Sequence, residues 1–181
     1  MEAKATAQQS DENTISQALK RLDGIARSRP EFLRKTYRSV TTLVDGLQCE
    51  TQEDTWRATT DLPEGVGGRG AGPTPGMLGR AALGSCLTMG YQLRASRLGV
   101  ELTSLTVTID ADSDDGAMIS LDSEARPGYS EVRYHVEILS PASDALIQRV
   151  LDEGDLLSPY RDVFSEGTTL KRTTSIQRAE S

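Results

Sequence analysis

The stretch Pro75-Gly-Met-Leu-Gly-Arg-Ala-Ala-Leu-Gly-Ser-Cys86-Leu-Thr-Met-Gly-Tyr-Gln-Leu-Arg94 is apolar on almost every side. Pro75 suits the first turn of a helix and Gly99 suits its stop, so the pattern predicts one helix from Pro75 to about Leu98. A helix without a polar face must be covered nearly all round, by a large domain or by a second subunit. Cys86 lies halfway along it and is expected in a core. A buried thiol is either an inert small hydrophobe or a redox nucleophile kept from bulk water.

On the N-terminal side, residues 1–12 are small and polar without periodicity, which predicts a disordered tail. From Asn13 the positions Ile15, Ala18, Leu19, Leu22, Ile25 and Ala26 recur at helical spacing, giving an amphipathic helix that ends near Ser28. Residues 13–36 are thus a helical extension and 37–181 the main domain. Tyr37–Val44, Leu47–Thr51 and Thr55–Thr60 have strand character and are separated by turn residues, which is the pattern of a β-meander. A Gly- and Pro-rich loop then leads to Pro75.

On the C-terminal side, Leu105, Val107 and Ile109 alternate with threonines, and Val132, Tyr134, Val136 and Ile138 alternate with Glu131, Arg133, His135 and Glu137. Both segments predict half-buried strands. Further strands are expected near Ala117–Ser123 and over Thr168–Ser175, with a second helix from Ala142 to about Gly154. This order is α+β, with helices on one face of mainly antiparallel sheet.

Composition narrows the function. The 181 residues are 36% hydrophobic and only 4% aromatic, so one chain is short of large core side chains, and a core shared in a homo-oligomer would remedy that. The net charge of -7, with scattered Lys and Arg, speaks against a nucleic-acid partner. No apolar run reaches the roughly 18 residues of a membrane span, and no signal peptide opens the chain, so a cytoplasmic protein without a membrane role is expected. Cys49 and Cys86 form no disulfide framework and lack metal-ligand spacing, in keeping with a reducing compartment.

Several motifs fall away in context. Gly65-Val-Gly-Gly-Arg-Gly70 has the spacing of a dinucleotide fingerprint, but Pro73 and Pro75 separate it from the helix and no acidic residue follows at the ribose position. The run from Asp110 to Gly116 resembles a calcium loop whose glycine comes one place late and whose twelfth position is Leu121. His135, the single histidine, belongs to the wet face of its strand, and Cys49 reads as packing. Cys86 remains. The favourable field of a helix N-terminus fades within about one turn, and burial favours the neutral thiol. A reactive Cys86 therefore needs a cation from elsewhere: Arg69 in the glycine loop, or Arg38 or Arg57 from the sheet, since Arg80 falls on another face of the same helix.

The segments Gly72-Pro-Thr-Pro-Gly-Met-Leu-Gly-Arg-Ala-Ala-Leu-Gly-Ser-Cys86-Leu-Thr-Met-Gly, Leu98-Gly-Val-Glu-Leu-Thr-Ser-Leu-Thr-Val and Pro127-Gly-Tyr-Ser-Glu-Val-Arg-Tyr resemble the OsmC/Ohr family, cysteine-dependent organic hydroperoxide reductases. The resemblance runs from Tyr37 to the C-terminus. It implies an OsmC-like fold in an intertwined homodimer, with the central helices buried between two sheets. It also implies a peroxidatic thiolate at Cys86, an arginine beside it, a glutamate ten residues earlier and a resolving cysteine in a Cys-Pro pair. Here the glutamate position is Gly76, the Cys-Pro pair is Ser158-Pro159, and Arg69 is the nearest candidate for the arginine. The implied function is a one-cysteine, thiol-dependent hydroperoxide reductase with peroxiredoxin-like activity in an oxidative stress response. Cys86 is the nucleophile, Arg69 its activator, an external thiol the reductant and a small organic hydroperoxide the substrate. The alternative is a catalytically inactive dimer that binds a small apolar ligand. Neither reading calls for a metal or a cofactor.

Overall fold

The computed structural model describes residues 2–119 and 124–177, with side chains from residue 14 onward. After the N-terminal helix α1 (Glu2–Ser28) comes a three-stranded antiparallel sheet of β1 (Val40–Asp45), β2 (Gln48–Glu53) and β3 (Trp56–Thr60). The long helix α2 (Pro75–Leu98) follows. β4 (Ser104–Asp112) then pairs with β5 (Glu131–Leu139) in an antiparallel ribbon, and helices α4 (Asp144–Leu156) and α5 (Pro159–Glu166) complete the domain. The class is α+β and the sheets are antiparallel, as the patterning predicts.

Helix α2 has the predicted limits because both ends are capped. Thr74 accepts a hydrogen bond from Met77 N at 3.2 Å, Pro75 fills the first turn, and Gly99 takes φ 65 beyond the last. Its stripe Leu83, Leu87, Tyr91 and Ala95 is buried with Val100, Leu102 and Val150. Leu105, Val107 and Ile109 of β4 and Val132, Tyr134, Val136 and Ile138 of β5 close this core from the sheet side. The period-two alternation thus places the wet faces as expected, His135 included.

The rest of α2 stays open within one chain. Met77, Met89 and Leu93 are exposed, and every residue of β1 is exposed, Val40, Leu43 and Val44 among them.

Helix α1 is built from alanines, glutamines and charged residues that favour helix. Two expectations are corrected. Residues 117–119 form the short helix α3 (Gly116–Ile119) in place of a strand, opened by Asp114, whose carboxylate accepts from Gly116 N at 2.9 Å; positions 120–123 of that expectation lie outside the described residues. Thr168–Ser175 is not a strand: it pairs with neither sheet, and Leu170 is exposed. In the segment before it stands α5 (Pro159–Glu166), opened by Ser158-Pro159 and too short for apolar periodicity to announce.

Candidate active site

Cys86 is half-buried, since it stands one position off the buried stripe of α2. Its sulfur lies 3.4 Å from Ser158 Oγ. Ser158 is buried and is the N-cap of α5, where its Oγ accepts from Arg161 N at 3.3 Å. The positions paired by resemblance alone, Cys86 and Ser158, are therefore neighbours in space although 72 residues apart.

Next to this contact lies a polar knot. Asp155, in the last turn of α4, accepts from Tyr91 Oη at 2.6 Å through one carboxylate oxygen and from Tyr134 Oη at 2.7 Å through the other. Arg161 Nε donates to Tyr134 Oη at 3.4 Å. Burial, reinforced by the Asp155 carboxylate, pushes the Tyr91 hydroxyl well above its ordinary pKa, and the same causes raise Tyr134 less strongly. Hydrogen bonding to Tyr134 holds Arg161 firmly protonated. Sequence reading missed this knot. One signal was available: an aspartate at a helix C-terminus opposes the helix dipole and needs another reason to be there.

Gly76, at the glutamate position, offers its carbonyl to Tyr129 Oη at 3.1 Å, and Tyr129 Oη in turn accepts from Arg80 Nη1 at 2.9 Å. The Tyr129 ring stacks on Phe164 of α5 with centroids 6.3 Å apart. Leu83, Val132, Tyr134 and Phe164 line a groove of about 470 Å³, with Arg126, Glu131 and Arg161 among its polar lining.

Arg69 is elsewhere. Its guanidinium is ion-paired with Asp45 at the end of β1, and within one chain the structure does not bring it to Cys86. The glycine loop around it is fastened by Asp61, a buried carboxylate that accepts from Leu62 N at 2.7 Å, Arg69 N at 3.0 Å and Ala71 N at 3.1 Å. The Ala71 and Arg69 amides hold the Asp61 carboxyl below its usual range. Gly68 runs so close to Leu62 that a Cβ would stand 1.8 Å from its carbonyl oxygen. These glycines let the loop fold on itself, which accounts for the pattern without a nucleotide. Asp112 is likewise accounted for by Arg133, which binds both its carboxylate oxygens at 2.6 and 2.9 Å. Cys49 lies on β2 with a free thiol.

A family model described as OsmC-like protein matches residues 67–172. Among solved structures, an OsmC-like protein from Mycoplasma pneumoniae superposes with a TM-score of 0.61 at 19% identity, covering 72% of this chain and 87% of that one. An organic hydroperoxide resistance protein OsmC from Legionella pneumophila gives 0.54 at 17% identity over 74% and 93% of the two chains. Another, from Elizabethkingia anophelis, gives 0.54 at 19% over 73% and 89%. No curated protein sequence matches the chain.

Proposed function

The chain belongs to the OsmC-like family, and from that premise we propose that it is a one-cysteine, thiol-dependent organic hydroperoxide reductase working as a homodimer in a reducing compartment. The observation that carries the reading is the half-buried Cys86 sulfur, 3.4 Å from the hydroxyl that caps α5. Similar structures, organic hydroperoxide resistance proteins among them, support it at the level of family.

In this reading the Cys86 thiolate attacks one oxygen of the hydroperoxide. An S–O bond forms, the O–O bond breaks, and the alkoxide leaves and takes up a proton as the alcohol. Sulfur is oxidised to the sulfenic acid. Ser158 cannot form a disulfide, so an external thiol attacks the sulfenic sulfur, water leaves, and a second thiol releases Cys86 from the mixed disulfide. Arg69 is engaged by Asp45 within its own chain, so it acts at Cys86 only if the second protomer delivers it.

Consumption of cumene hydroperoxide with dithiothreitol, glutathione or thioredoxin as reductant tests the proposal. Turnover that survives Cys49→Ser and is abolished by Cys86→Ser is expected; its absence with every reductant overturns the reading. That result would favour the second reading, a non-enzymatic dimer that takes a small apolar ligand in the groove of Leu83, Val132, Tyr134 and Phe164.

A further inference from the structure

We propose that the hydroxyl of Ser158 is a catalytic hydrogen-bond donor to the Cys86 thiolate, set in place by the first turn of α5; this rests on the reading of Cys86 as the peroxidatic nucleophile. A serine hydroxyl has one proton to give and two lone pairs. One lone pair of Ser158 Oγ accepts from Arg161 N at 3.3 Å, the bond that caps α5. The side chain is nearly inaccessible to solvent, with 3% of the residue exposed. Among the described residues the acceptor facing its proton is Cys86 Sγ at 3.4 Å.

The two protonation states of Cys86 are not equivalent in this arrangement. A neutral thiol offers this proton only a weak acceptor, and a thiol that instead donated to Oγ would leave it buried with none, which is costly. With a thiolate the proton points at the negative sulfur and every group is satisfied. The start of α5 adds its positive end, which acts over the first turn, where this sulfur lies.

The geometry is held from several sides. Arg161, in the first turn of α5, donates from Nε to Tyr134 of β5, and Tyr134 shares the Asp155 carboxylate with Tyr91 of α2. The N-cap of α5 is thereby fixed against the helix that carries Cys86. The first turn of α5 carries Arg161, whose charge favours a thiolate, and Asp162, whose charge opposes it, while both oxygens of Asp155 at the end of α4 are occupied by tyrosine hydroxyls. Ser158 keeps its proton through the reaction and is not itself oxidised. The same position that removes intramolecular resolution thus supplies stabilisation of the nucleophile.

The test is the rate of Cys86 alkylation by iodoacetamide against pH, in full-length protein carrying Cys49→Ser, with Ser158→Ala and Ser158→Asp beside it. Ser158→Ala removes donor and cap together, whereas Ser158→Asp keeps a good cap and removes the donor. Loss of the donor is expected to move the midpoint up by about one pH unit in Ser158→Ala and further in Ser158→Asp, where a negative charge is added. At pH values below the midpoint alkylation then slows, by about tenfold for each unit of that movement. Unmoved midpoints in both variants, or a shift in Ser158→Ala alone, overturn the proposal and leave Ser158 a helix cap. Alkylation does not depend on turnover, so a wild-type protein that reduces no hydroperoxide defeats the functional reading without deciding the role of the serine.

Discussion

Ser158 Oγ and Cys86 Sγ stand 3.4 Å apart, and a sulfur placed at position 158 would have to close to about 2.05 Å to bond. Ser158→Cys, treated with oxidised glutathione, is therefore expected to form a disulfide with Cys86, read as the loss of two hydrogens in the intact mass and of both free thiols. If both thiols stay titratable, the placement of α5 against α2 is wrong. Tyr91 gives a second prediction at this scale. Its folded pKa lies above the unfolded value of about 10, so its contribution is complete below pH 10 and declines as pH rises beyond it, where the unfolded chain loses the proton first. Urea midpoints of the wild type should fall above pH 10 more steeply than those of Tyr91→Phe; parallel curves would show that Tyr91 does not carry the effect. Cys86 was legible in the sequence because a cysteine in an apolar helix stands out. Asp155, Tyr91, Tyr134 and Arg161 were not, because their significance is a meeting of four elements that no spacing records.

At the level of elements, α2 was legible to the residue because its caps are chemical, Thr74-Pro75 at one end and Gly99 at the other. The strands of the β4–β5 ribbon were legible from alternation, which reports a sheet with one wet face. Thr168–Ser175 misled for a related reason: β propensity describes how a residue fits a sheet and says nothing of whether the segment is carried to an edge. Helix α5 has only eight residues, too few for periodicity to register. The packing of α4 on α2 depends on a missing side chain. A Cβ on Gly154 would stand 2.4 Å from Tyr91 Cδ1 and 2.9 Å from Cε1, so Gly154→Ala must push the Tyr91 ring aside and with it the bond to Asp155. A loss of about 1–3 kcal/mol is expected, measured from the urea midpoint at pH 7; an unchanged midpoint would mean the two helices separate freely. For the glycine loop, Asp61→Ala removes the acceptor of three backbone amides. Faster hydrogen exchange at Leu62, Arg69 and Ala71 should follow, and unchanged protection there would assign the loop's order to the glycines alone.

At the scale of the whole molecule, the aromatic content of 4% and the exposed apolar residues of β1 and α2 describe one deficit. The chain spends its apolar residues on two surfaces, the stripe of α2 that it buries and the faces of β1 and α2 that it leaves open. Val40, Leu43 and Val44 on β1 and Met77, Met89 and Leu93 on α2 are the exposed members. Composition made the shortage legible, but it could not say which residues a single chain leaves uncovered, since that depends on how the three-stranded sheet stands off from the helices. A second copy of the chain offers both missing faces at once, by symmetry. Sedimentation equilibrium at micromolar concentration is therefore expected to give twice the mass of one chain. Leu43→Glu and Met89→Glu, each placing a charge on an exposed apolar position, should shift the protein toward single chains or aggregates. Because a monomer would also leave Arg69 with Asp45 and away from Cys86, the same variants should lose hydroperoxide turnover while Cys86 remains alkylatable. A wild-type chain that sediments at its own mass and still unfolds cooperatively would show that these faces need no partner, and Arg69 would then have no route to the sulfur.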